Sequence, residues 1–72
     1  MKQNAQNVNA ETKPVCKLIG EDGNVFAIIG RVSNVLKRAG QAEKAQEFRN
    51  RAIAAGSYDD VLAMVFEYVD VK

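Results

Sequence analysis

Histidine and tryptophan are missing from this 72-residue sequence, and cysteine and proline occur once each. Without histidine there is no His-based catalytic triad and no Cys–His pair. With a lone cysteine there is no disulfide within the chain and no Cys/His zinc site. A dominant charge is lacking too: 10 Lys+Arg against 9 Asp+Glu leave a formal net charge of +1. Nothing therefore draws the chain as a whole toward nucleic acid or an anionic membrane. The longest uncharged apolar run, Val25 to Gly30, is far short of the ~20 residues that span a bilayer. The polar opening residues lack the apolar stretch of a secretory signal. The expectation is a soluble, cytoplasmic protein with no membrane contact and no cofactor.

What is present suits one small domain, with 47% hydrophobic residues. A chain of this length buries only about 60% of its unfolded surface, so its stability is marginal. Small folds compensate with disulfides, a metal or a partner subunit. Cysteine count removes the first and composition disfavours the second, which leaves self-association. Cys16 lies in an apolar run and reads as a reduced, buried thiol.

Residues 1–13, MKQNAQNVNAETK, hold only Met1 and Val8 as large apolar side chains. Such a segment cannot offset its ordering entropy by burial and reads as a disordered polar tail, leaving residues 14–72 as the folded domain. After Pro14, Val15 to Ile19 reads as a short strand. Gly20-Glu21-Asp22-Gly23 reads as a turn, and Asn24 as the N-cap of a helix over Val25–Ala39. At 100° per residue, Val25, Ile28, Ile29, Val32, Val35, Leu36 and Ala39 fall within about 120°, with Phe26 and Ser33 widening that arc. Gly40 supplies the stop. Gly30, mid-helix, costs about 1 kcal/mol against Ala; either another backbone packs close by, which is the favoured reading, or the position is simply tolerated.

A second helix over Gln41–Ala55 has a narrow stripe of Ala45, Phe48, Ala52 and Ala55, and an i,i+4 pair of Glu47 and Arg51. Gly56 ends it. Ser57-Tyr58-Asp59-Asp60 resembles a capping box with Asp in place of Glu, and its acids suit the helix dipole. Tyr58, Val61, Leu62, Val65, Phe66 and Val69 share one side of the third helix. From Tyr68 the pattern alternates, which predicts helix to Glu67 and a terminal strand beyond. The fold class is α+β: a small single domain with a short N-terminal strand, three helices and a short C-terminal strand. The strands can pair with each other or with a partner chain.

Resolved by segment, the charges are uneven. Residues 1–23 are neutral. Residues 24–56 net +4, from six Lys/Arg against Glu43 and Glu47, and residues 57–72 net −3, from four acids against Lys72. Arg31, Asn34 and Arg38 share a helix face opposite the apolar arc and, with Arg49 and Arg51, are the candidate nucleic-acid contacts. A solvated helix face is the plainer reading of the same charges. Strand-then-two-helices is the outline of ribbon-helix-helix DNA-binding dimers, yet only Lys17 could point outward to read bases. Gln46 likewise falls where a helix-turn-helix needs a buried aliphatic residue.

Other motifs fall short. Glu21 and Asp22 lack the spaced oxygen ligands of a calcium loop. Gly20-x-x-Gly23 is followed by no Lys-Ser/Thr, and its acids would repel phosphate. Asp59 and Asp60 are accounted for by capping, and spacing alone pairs no nucleophile with a base. Tyr58 and Tyr68 read as half-buried aromatics with surface hydroxyls. No catalytic, cofactor or metal residue is assigned.

Three stretches together, Lys17-Leu18-Ile19-Gly20-Glu21-Asp22-Gly23-Asn24, Phe26-Ala27-Ile28-Ile29-Gly30-Arg31-Val32, and Tyr58-Asp59 with Glu67-Tyr68-Val69, resemble a family of small uncharacterised bacterial and phage-associated proteins. The likeness covers residues 15–72 and is most specific around the turn. It implies a shared small α+β fold and a phage or mobile-element origin, and it brings no activity and no functional residue. The expected function is a non-enzymatic interaction or accessory module, acting as a homodimer or with a small protein partner. The alternative is weak nucleic-acid binding through the basic helical pair 24–56.

Overall fold

A computed structural model describes residues 13–72; the expected tail, apart from Lys13, lies outside the described residues. The element order is β1 (Val15–Cys16), α1 (Val25–Arg38), α2 (Ala42–Ala54), α3 (Tyr58–Tyr68) and β2 (Asp70–Val71). The α+β class and the three-helix, two-strand layout follow the sequence reading. The open question of strand pairing is answered within the chain. β1 and β2 lie side by side in parallel, with Val15 opposite Asp70 and Cys16 opposite Val71. A parallel pair cannot be closed by a hairpin and needs a crossover, which here is the whole helical section.

Both strands are shorter than expected. β1 stops at Cys16, and beyond it the Leu18 and Ile19 amides both donate to the Lys72 carbonyl, at 2.9 and 3.0 Å. The chain then turns: Glu21 N–H donates to the Leu18 carbonyl at 3.0 Å across Gly20, whose φ of +84° suits the third position of a type II turn. Asp22 Oδ1 accepts from the Asn24 amide at 3.0 Å, and Asn24 Oδ1 caps α1 by accepting from Phe26 N–H at 2.8 Å.

α1 ends in a Schellman motif. Gln41 N–H donates to the Leu36 carbonyl at 2.9 Å and Gly40 N–H to that of Lys37 at 3.0 Å, with Gly40 at φ +80°. α3 opens with Ser57 Oγ accepting from the Asp60 amide at 3.1 Å, which makes Ser57 the N-cap as read, with Asp59 and Asp60 in the first turn.

The core joins Cys16 to Ile28, Ile29, Val32 and Leu36 of α1, Ala45, Phe48 and Ala52 of α2, and Val61, Val65, Tyr68 and Val69 at the end of the chain. Phe48 is the largest of its wholly buried side chains. Tyr68 corrects the expected helix–strand boundary, because it is the last residue of α3 rather than the first of a strand. The cause is tertiary. Its ring meets Phe48 edge-on at 5.4 Å, and its hydroxyl donates to Glu47 Oε2 at 2.7 Å and accepts from Arg51 at 3.0 Å. Holding that phenol on α2 requires one more helical residue than alternation suggests.

Gly30 is a second correction, to the close-packing reading. A Cβ added there would meet no described atom within 4 Å, so no backbone among the described residues packs against it. Phe26, read as widening the arc of α1, and Phe66, read within the apolar side of α3, are a third: they are 76% and 58% exposed.

Candidate functional site

Two surfaces stand out, and α1 contributes to both. The first is apolar and centres on Tyr58. One hollow, of about 350 Å³, is lined by Phe26 and Ile29 of α1, Ile53 of α2, and Tyr58 and Val61 of α3. A second, of about 220 Å³, is lined by Leu18, Ile19, Ile28, Tyr58, Leu62 and Phe66. Tyr58 is common to the two and forms the ridge between them. Its hydroxyl donates to the Gly23 carbonyl at 2.8 Å, which fixes the ring against the turn before α1. Around this ridge Ile19 is 70% exposed, Phe26 76% and Ile53 67%. Helix periodicity alone would have buried the two phenylalanines. Their signal was positional, since Phe26 and Phe66 each sit at the margin of their helix's apolar arc.

The second surface is basic. Lys17, Ala27, Gly30, Arg31, Asn34, Val35 and Arg38 line an open hollow of about 480 Å³. The structure thus brings together three of the five sequence candidates, Arg31, Asn34 and Arg38, and adds Lys17. The sequence reading places Lys17 within a strand over Val15 to Ile19 and outside the candidates; the strand ends one residue before it. Glu21 bridges Lys17 and Arg31 at the margin, at 3.7 and 3.4 Å. Arg31 Nε is buried and has no hydrogen-bond partner among the described residues. Behind it, burial pushes the Cys16 thiol pKa up, with the Arg31 charge pulling the other way.

The other two candidates lie elsewhere. Arg49 is exposed on α2 and lines none of these hollows. Arg51 is engaged between helices. It donates to Glu67 Oε1 at 2.9 Å and to the Tyr68 hydroxyl, and its guanidinium lies 5.7 Å from the Tyr68 ring centre. That bond holds the Glu67 carboxyl below the usual carboxylate range, while burial raises the Tyr68 phenol. Glu47 and Arg51 thus meet at the Tyr68 hydroxyl and join α2 to α3.

Among the described residues no group of three His, Cys, Asp or Glu side chains is placed to hold a metal ion. None of their helices is long and apolar enough to cross a membrane. No family model matches the chain, and no curated protein and no solved structure is detectably similar to it. The two surfaces are therefore interpreted on their geometry alone.

Proposed function

We propose that this chain is a small non-enzymatic interaction module that works as a homodimer paired through the apolar face about Tyr58. One observation carries the reading: Ile19, Phe26, Ile53 and Phe66, all more than half exposed, surround one fixed aromatic ridge. Burying a side chain of this size is worth roughly 1.5–3 kcal/mol, and contiguous apolar surface of this kind marks interaction sites. A second copy suits the face because an isologous pairing would cover the exposed Ile19, Phe26, Ile53 and Phe66 of both copies at once. Association also supplies the core surface that a domain this small lacks. The single buried thiol suits a reducing cytoplasm.

Sedimentation equilibrium tests the reading. The protein is expected to be a dimer at tens of micromolar. The double variant Phe26→Ser, Phe66→Ser is expected to be a monomer with unchanged helix content, since neither ring is in the core. A monomeric wild-type protein would refute the dimer, and a double variant that still dimerises would refute this face.

A further inference from the structure

We infer that the basic hollow on α1 binds the phosphate backbone of duplex nucleic acid, independently of the dimer face. Its cations are strung out rather than bunched. Arg31 and Arg38 are seven residues apart on one helix face, which at ~1.5 Å per residue places them about 10.5 Å apart along the axis. Lys17 adds a third charge from the end of β1, and Asn34 sets a neutral amide donor between the two arginines. Spaced cations with an interleaved amide match a polyanion that runs past the surface, where most contacts go to phosphate oxygens.

Two further features favour such a ligand. Gly30 is helical, is not required by packing among the described residues, and leaves open space where a side chain would stand, so a backbone can approach α1 closely. Among the described residues, those that line the hollow include no aromatic ring on which bases could stack. Single-stranded binders rely on such stacking, so the duplex backbone, read without sequence preference, is the favoured ligand. Glu21, paired loosely with both Lys17 and Arg31, orients the cations but also repels an incoming phosphate.

Fluorescence anisotropy with a labelled duplex of about 20 base pairs, titrated from about 50 to 200 mM salt, tests this. Three phosphate contacts predict a log–log salt slope near −2.7, a weakening of roughly 40-fold over that range. Lys17→Ala and Arg38→Ala should each reduce the slope by about 0.9, Glu21→Gln should tighten binding, and Arg49→Ala should change nothing. Helix content, checked for every variant, should stay constant, because each substituted side chain lies outside the core. Absence of binding at the lowest salt would overturn the inference, as would a slope indifferent to Lys17 and Arg38 or as sensitive to Arg49. A single strand bound more tightly than the duplex would overturn the choice of ligand. An Arg38→Ala variant that lost dimerisation instead of duplex binding would reassign the face to a second copy of the chain.

Discussion

The face about Tyr58 and the face along Arg31 and Arg38 are carried by the same helix, α1, yet they respond to solvent in opposite ways. The first exposes aromatic and aliphatic side chains that water disfavours, so the proposed association through it should be nearly indifferent to salt. The second exposes cations whose counterions would leave on binding a polyanion, so the inferred affinity should fall as salt rises. Phe26 looks out on one side of α1, and Arg31, Asn34 and Arg38 on another. A net charge of +1 and a single domain hide this division, which emerges only when each face is taken separately.

The largest expected effect comes from the layer beneath both faces. Phe48 is wholly buried and supports Tyr68, so Phe48→Ala should cost roughly 3–5 kcal/mol. Denaturant unfolding would measure the loss, and dimerisation and duplex binding should fail together. Loss of only one of them would mean that the faces do not share this core.

Smaller changes separate the faces. Ser57→Ala removes the cap of α3 beside Tyr58 and should cost about 1 kcal/mol, weakening the dimer without altering the salt slope of duplex binding. Gly30→Ala on the other face should stabilise the monomer by up to about 1 kcal/mol, since the site has room for a methyl group. If thermal unfolding instead found Gly30→Ala destabilising, the open approach to α1 would be wrong.

The smallest effect is one of pH. Burial raises the pKa of both the Cys16 thiol and the Tyr68 phenol, so folding favours their neutral forms. The stability from these groups is complete below their unfolded values, about 8.5 and 10. It is lost as pH rises past those values toward the folded ones. Urea midpoints should fall in that window, and a Cys16→Ala variant, less stable throughout, should lack the earlier part of the decline.

Much of the fold was legible because it rests on local chemistry. Asn24 and Ser57 announce helix starts, Gly40 a helix stop, and the spacing from Ile28 to Leu36 a buried face. What escaped depends on partners distant in sequence. Alternation after Glu67 suggested a strand, but Phe48, Glu47 and Arg51 hold Tyr68 in the helix. Parallel pairing of the two strands depends on how three helices stack, which no local pattern encodes. The basic hollow was half legible. Arg31, Asn34 and Arg38 follow from helix spacing, whereas Lys17 joins them only through the path of the chain after Cys16. Arg51 looked equally available until its bonds to Glu67 and Tyr68 were seen.

Residue-resolved NMR of the full chain tests the two-face division most directly. Dilution should shift the amides of Ile19, Phe26, Ile53, Tyr58 and Phe66, and a duplex added at low salt should shift those of Lys17, Gly30, Arg31, Asn34 and Arg38. Two separate sets of moving signals are the predicted result. A single set that moves in both titrations, or signals that move in neither, would contradict it.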